Sequence, residues 1–281
     1  MIHAEDIAST VRNAIPRIAT ELRTDVLAAI REALARERSP RGRAALEQLA
    51  ANAGIAAHDG VPLCQDTGYV WVWLEVGAEE CVCGDLTAAI DAAVAEAYAS
   101  ARLRASLARD ALLDRANTGD NTPAFVDITV RPGCGATVHV MLKGGGSDNA
   151  SALAMLSPAE GEEGVVAFVL ESVAAKVASA CPPVVVGVGV GSTFDKVGTL
   201  AKRALLREVG TCSADERIAA LEARLLAGIN ASGVGPGGLG GDTTALAVHV
   251  VTAPCHIAAL PVAVNVGCSA VRSVTVEVLP R

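Results

Sequence analysis

The 281 residues set 31 acidic against 23 basic side chains, a formal net charge of −8 at pH 7, which excludes the basic footprint of a nucleic-acid binder. The chain is 51% hydrophobic and 19% charged, enough for a substantial core, but only 2% aromatic, so Ala, Val and Leu must fill that core. Met-Ile-His-Ala-Glu-Asp at the start has neither the basic nor the apolar region of a signal peptide, and eight Cys without one fit a reducing, cytoplasmic setting.

In chain order, residues 5 to 37 show helical periodicity with Pro16 as a break or helix start, and 41 to 57 read as another helix. Tyr69 to Val76 is β-rich, and 85 to 108 form a long Ala-rich helix that Arg104 ends. Ala124 to Arg131 and Ala136 to Leu142 alternate as two strands around Arg-Pro-Gly-Cys-Gly, a hairpin signal. Helices follow at 161–180, 194–208 and 214–230, with a short buried strand at 184–190. The last strands cover 245–251, 258–266 and 273–279. The run from Thr243 to Val271 has no charged residue and is long enough for a membrane span. Pro254, Pro261, His249, His256 and Asn265 interrupt it, so buried strands joined by a turn explain it better. The expected fold class is α/β: mixed, largely parallel sheets covered by helices, in one domain over 1–281 whose residues 1–60 are a helical N-terminal region. No low-complexity linker or internal repeat stands out.

Three cysteines sit in distinctive settings: Cys64 in Val-Pro-Leu-Cys-Gln-Asp-Thr-Gly, Cys181 in Ser-Ala-Cys-Pro-Pro-Val, and Cys268 in Ala-Val-Asn-Val-Gly-Cys. Three thiolates can hold a cubane [4Fe–4S] cluster and leave its fourth iron open as a Lewis acid. Spacing alone does not require this, because no C-x-x-C run occurs and a free Cys is commonly a small buried hydrophobe. Cys81 and Cys83, one residue apart, suit neither a C-x-x-C redox site nor a zinc knuckle.

Other motifs divide the same way. Gln65 and Asp66 lie beside Cys64, either in an Asx-type turn closed by Gly68 or as groups that orient substrate and move protons. Lys143 precedes Gly144, Gly145 and Gly146 between a strand and a helical run, a flexible turn or an anion cradle, but not a P-loop. The Gly235–Thr244 glycine loop lacks the context of a dinucleotide site, so close packing around a cofactor is its natural role. His256 is either a satisfied core residue or a donor to charged substrate, and Arg104 either a solvated surface side chain or a fork for a carboxylate.

Together the segments resemble the alpha subunits of class I, iron–sulfur fumarate hydratase and of L-tartrate dehydratase. The resemblance runs roughly from Leu63 to Cys268, through ordered blocks at 63–68, 117–124, 143–147, 181–183, 191–196, 235–244 and 253–265. It implies that Cys64, Cys181 and Cys268 ligate a [4Fe–4S] cluster. It implies Asp66 and His256 as catalytic groups, and Gln65, Arg104, Gly144, Gly145 and Gly146 as substrate-binding ones. It leaves Cys81, Cys83, Cys134, Cys212 and Cys255 as structural.

The reaction implied is reversible hydration of fumarate to (S)-malate, with L-tartrate dehydration as the alternative. A non-catalytic nucleotide- or phosphate-binding subunit is the reading from another class. Single-chain members continue into a further domain, so the resemblance implies a separate beta subunit, activity only with it, an α2β2 assembly and a dicarboxylate substrate. No nucleic acid or membrane is expected as a partner. Two departures, Ser269 where the family usually has His and Ser192 in place of Gly, bear on substrate preference and cluster potential.

Overall fold

The computed structural model describes residues 1–280 and divides the chain into two compact units. The first comprises Met1–Arg23, Ile55–Gly145 and the C-terminal segment from Arg272; the second comprises Thr24–Gly54 and Gly146–Val271.

The first unit begins with a two-residue strand β1 (Ile2–His3) and helix α1 (Ala4–Thr20). The Asp6 carboxylate accepts the His3 N–H at 3.2 Å, and Glu5 and Asp6 place negative charge on the first turn, where the helix dipole favours it. The helix runs straight through Pro16 and stops four residues later, at Thr20. An interior Pro costs about 3 kcal/mol. The stripe of Ile7, Val11, Ile15 and Ile18 is buried, and at about 1.5–3 kcal/mol per side chain it outweighs that cost. Helix α2 (Thr24–Arg36) begins the second unit, and α3 (Pro40–Asp59) carries Pro40 at its first position, where no N–H is needed.

Strand β2 (Tyr69–Gly77) follows, then β3 (Val82–Cys83), α4 (Leu86–Ser100), β4 (Phe125–Arg131) and β5 (Ala136–Lys143). The Asp85 carboxylate caps α4 by accepting the Ala88 N–H at 3.0 Å. The helix ends at Ser100, eight residues before the pattern suggested, because Arg102 turns left-handed (φ 53°) and Leu103 dives into the core. Arg104 therefore lies in a loop and ends no helix.

The two strands around Arg-Pro-Gly-Cys-Gly exist, but they do not pair as a hairpin. Strand β2 lies between them, parallel to β4 and antiparallel to β5. The order in this four-stranded sheet is β10-β5-β2-β4, with β10 (Arg272–Val278) antiparallel to β5. β2 and β5 take the two central places: Val70, Trp71, Val72 and Leu74 are buried in β2 and every residue of β5 is buried, whereas β4 lies at an edge with Phe125, Ile128 and Val130 exposed. Helices α1 and α4 cover one face, and Val70, Val72, Leu74, Val138 and Val140 join Ile7, Ile15, Ile90 and Val94 in the core.

The helical run expected after Lys143 is only α5 (Gly145–Asp148), which spans the boundary between the units along the chain, and the second unit goes on with an unforeseen strand β6 (Ala152–Leu156). Then come α6 (Gly161–Lys176), β7 (Val184–Ser192), α7 (Phe194–Ala204), α8 (Glu216–Ala231), β8 (Ala245–Cys255) and β9 (Leu260–Gly267). The uncharged Thr243–Val271 run is thus two strands and a turn, and among the described residues no helix is long and apolar enough to cross a membrane. The sheet order is β6-β9-β7-β8, with β7 parallel to β8 and antiparallel to β9. A core of Val166, Val169, Val186, Val188, Leu225, Val248 and Val264 joins α6, α8 and this sheet.

The mixed α/β architecture and the helical N-terminal region are as the sequence suggests, and each four-stranded sheet holds one parallel pair and two antiparallel pairs. Both sheets also repeat one connection. A strand crosses through helix to a parallel neighbour, and the next strand returns to pair with the first on its other side. The repeat is topological and has no counterpart in the sequence.

Candidate functional site

In the first unit, Asp66 is the point on which the loops converge. Its Oδ1 accepts from the Gly68 N–H at 3.0 Å, the Ser106 hydroxyl at 3.3 Å and Arg104 Nη2 at 3.5 Å, and its Oδ2 accepts from the Gly145 N–H at 2.9 Å. The predicted residues Asp66, Arg104, Gly144 and Gly145 are thereby brought together. A Cβ on Gly144 would fit tightly here, 3.3 Å from Asp66 Oδ2 and 3.7 Å from Arg272 Nη2. Gly68, at φ +83°, backs directly onto Lys143, whose carbonyl carbon would stand 2.8 Å from a Cβ there.

A polar scaffold that sequence reasoning missed holds the loop from behind. Arg272, only 2% exposed, donates from Nη1 to the Asp66 carbonyl at 2.8 Å. The Tyr98 hydroxyl donates to the Gly68 carbonyl at 2.9 Å, and Asn121 Nδ2 donates to the same oxygen at 3.1 Å. Asn121 Oδ1 accepts the Ser106 N–H at 2.6 Å, and Thr67 Oγ1 donates to the Arg104 carbonyl at 2.6 Å. Burial pushes the Tyr98 phenol up to about 12, since the phenolate would lose its water. Asn121 lies inside the sequence block 117–124, and Arg272 is the first charged residue after the uncharged run. Those were the available signals.

Arg104 is exposed, and both of its side-chain contacts, to Asp66 and Ser106, use Nη2. Its exposed guanidinium retains N–H donors that can meet a carboxylate. Lys143 is buried at the end of β5, so Arg104, Lys143 and Arg272 surround the Asp66 loop with positive charge in an otherwise acidic chain. Gln65 is exposed beside Asp66, and Cys64 is a half-buried free thiol on the same loop.

In the second unit, Cys181 is exposed, outside any disulfide and in the left-handed region (φ 54°, ψ 64°), and Cys268 is half-buried and likewise outside any disulfide. The two loops are tied together: the Ser269 N–H donates to the Cys181 carbonyl at 3.1 Å. The Gly235–Thr244 loop is anchored by buried Glu37, whose carboxylate accepts the N–H groups of Asp242 at 2.9 Å and Thr243 at 3.1 Å. Gly146 begins this unit, where a Cβ would stand 3.7 Å from the Ser179 carbonyl.

His256 is not a core residue. It is exposed in the turn after β8, where its Nδ1 accepts the Ala258 N–H at 3.1 Å. Among the described residues, no group of three or more His, Cys, Asp or Glu side chains is gathered so as to hold a metal ion. The donor chemistry of the three cysteines nevertheless fits an iron–sulfur cluster: all are thiols outside any disulfide and on loops, and two of those loops are hydrogen-bonded to each other.

The family model described as fumarate hydratase (Fumerase) matches residues 8–277. A Methanocaldococcus jannaschii protein, provisionally named L(+)-tartrate dehydratase subunit alpha, is 38% identical over 274 residues, covering 95% of each chain. The L(+)-tartrate dehydratase subunit alpha of Escherichia coli strain UTI89 is 34% identical over 277 residues, covering 97% of this chain and 90% of its own. The protein of the same name from Shigella boydii serotype 4 shows the same identity and coverage.

Proposed function

The chain belongs to the fumarate hydratase (Fumerase) family, and on that premise we propose that it is the alpha subunit of a hydro-lyase acting on a four-carbon dicarboxylate. The observation that carries this reading is the convergence of Arg104 and the Gly145 amide on Asp66. One carboxylate pins a guanidinium and a backbone N–H in place beside a glycine loop. That is a cradle for a substrate carboxylate, with a proton-transferring group next to it.

In this reading Arg104 grips a carboxylate with its guanidinium, whose planar array of N–H donors suits that group. Gln65 and the backbone of Gly144, Gly145 and Gly146 orient the rest of the substrate. Asp66 passes a proton at its carboxylate, and His256 supplies a hydrogen bond or a proton. Cys64, Cys181 and Cys268 are the ligands of a [4Fe–4S] cluster. When bound, the cluster supplies a Lewis acid for the hydroxyl oxygen that leaves or enters. A single alpha-subunit-type catalytic domain spans 1–281, in the cytoplasm. The relatives' names speak of a subunit alpha, which supports a partner subunit; that this partner is a beta subunit, that activity depends on it and that the assembly is α2β2 are part of the same proposal.

Fumarate hydration to (S)-malate and L(+)-tartrate dehydration both fit this cradle. The family description favours the first and the relatives' names the second. The discriminating measurement is kcat/KM for (S)-malate and for L(+)-tartrate, with the chain co-produced with a beta subunit and reconstituted anaerobically with iron and sulfide. A preference for either substrate supports the proposal and assigns it. Turnover of neither by iron-loaded, partner-bound protein overturns it.

A further inference from the structure

Cys81 and Cys83 stand apart from the site described above. They follow Gly77 at the end of β2 opposite to the one that leaves the Asp66 loop, so the nine residues of that strand, about 30 Å at ~3.3 Å each, lie between the two places. The pair flanks Val82 on an extended segment that pairs with the first residues of the chain: the Ile2 N–H donates to the Cys81 carbonyl at 3.0 Å, and Ile2 and His3 register with Val82 and Cys83. Alternation along an extended segment puts residues one apart on the same side. The two Sγ atoms are accordingly 3.7 Å apart, in hydrogen-bond contact.

Two features make this more than a coincidence of spacing. The sulfurs are already in contact at 3.7 Å; same-side Cβ atoms of an extended segment stand about 6.6 Å apart against the ~3.5–4.5 Å of a disulfide, so this short segment bends as the bond closes. Access is also graded, Cys81 being exposed and Cys83 half-buried. The hydrogen bond to Cys81 holds the Cys83 thiol above its ordinary pKa, so the outer sulfur is the one placed to meet a reagent first. Cys134, by contrast, gives its proton contact to Glu79 at 3.5 Å.

We infer that Cys81 and Cys83 form a surface dithiol that closes reversibly to an intramolecular disulfide by exchange with a small-molecule disulfide. The Cys81 thiolate attacks one sulfur of the reagent, forming a mixed disulfide and expelling one thiol. Cys83 then loses its proton and attacks Cys81 Sγ, forming the Cys81–Cys83 bond and expelling the second thiol. Two protein thiols are oxidised while one external disulfide is reduced to two thiols.

The test uses the full chain, held anaerobically in glutathione buffers of graded thiol-to-disulfide ratio, quenched with acid, alkylated and mapped by peptide mass. The expected result is a peptide containing both residues that loses two hydrogens, escapes alkylation at both positions and returns to the dithiol with dithiothreitol. Cys83→Ser should stop at a glutathione adduct on Cys81. Alkylation of both residues in excess glutathione disulfide, or a wild-type adduct on Cys81 that never closes, overturns the inference. Neither outcome depends on the catalytic reading, because cleavage after Glu80 and Glu96 with a glutamate-specific protease puts Cys81 and Cys83 in a peptide apart from Cys64, Cys181 and Cys268.

Discussion

The Tyr98 hydroxyl, carried on α4, donates to the carbonyl of Gly68 at 2.9 Å and so fixes the loop on which Asp66 sits. Tyr98 is 2% exposed, and the Gly68 oxygen keeps Asn121 as a second donor when the phenol is lost. Tyr98→Phe should therefore cost about 1 kcal/mol, the net worth of one hydrogen bond, measured as a lower urea midpoint at unchanged slope.

The same residue gives a pH signature. Its folded pKa is raised to about 12 from 10.0, so its contribution to stability is fully present below pH 10 and is lost as pH rises toward 12. Two units correspond to about 2–3 kcal/mol. The stability advantage of wild type over Tyr98→Phe should shrink and then reverse across that window; a difference that stays constant from pH 9 to 12 contradicts the assignment.

Gly68 and Gly60 offer a matched pair. Both have positive φ, +83° and +65°, but a Cβ at Gly68 meets the Lys143 backbone while at Gly60 it meets nothing within 4 Å. Gly60→Ala should cost about 1 kcal/mol from backbone strain alone. Gly68→Ala should cost at least ~3 kcal/mol, because backbone must move as well. Equal midpoints for the two variants would sink this account.

Asp66→Asn keeps the shape but replaces one acceptor oxygen with an NH2 group. Whichever way the amide turns, that donor faces another donor, either the Gly145 N–H or the set of Gly68, Ser106 and Arg104. With the fold kept by circular dichroism, kcat/KM of the partner-bound enzyme should fall about 10²–10⁴-fold. A fall of less than about threefold would remove Asp66 from the chemistry.

Arg104→Lys retains the charge but not the fork. KM for the dicarboxylate should rise about 10-fold or more with kcat changed less, since carboxylate binding is common to ground and transition states. An unchanged KM would place the carboxylate elsewhere.

Glu37→Gln tests the glycine loop of the second unit. The Glu37 carboxylate is 3% exposed and accepts N–H groups from Ser39, Asp242 and Thr243. Bonds to a charged acceptor are worth about 1.5–3 kcal/mol, so a loss of ~2–3 kcal/mol is expected in chemical denaturation.

Periodicity located most strands and helices because the buried stripes are clean: Ile7, Val11, Ile15 and Ile18 in α1, and Val70, Val72 and Leu74 in β2. It could not tell that β2 intrudes between β4 and β5, since pairing depends on partners far away in sequence. The early stop of α4 was equally hidden: Ala101 and Arg102 are good helix formers, and burial of Leu103 overrides them. At the site, the Asp66, Arg104 and Gly144 motifs were legible as motifs. Their supports were not, because a buried Arg272 or a hydrogen-bonded Tyr98 has no local signature.

The first unit is not continuous along the chain. Its β5 edge is closed only by β10, which is made after every strand of the second unit. A ribosome emitting this protein therefore releases a finished second sheet while the first still shows a bare hydrogen-bonding edge, a state open to pairing with other nascent chains. Arg272 opens that strand and also bonds the Asp66 carbonyl, so the Asp66 loop gains its deepest support only after the strands of the second unit have been made. Any chain cut short before Arg272 loses its sheet edge and this support for the Asp66 loop in one stroke.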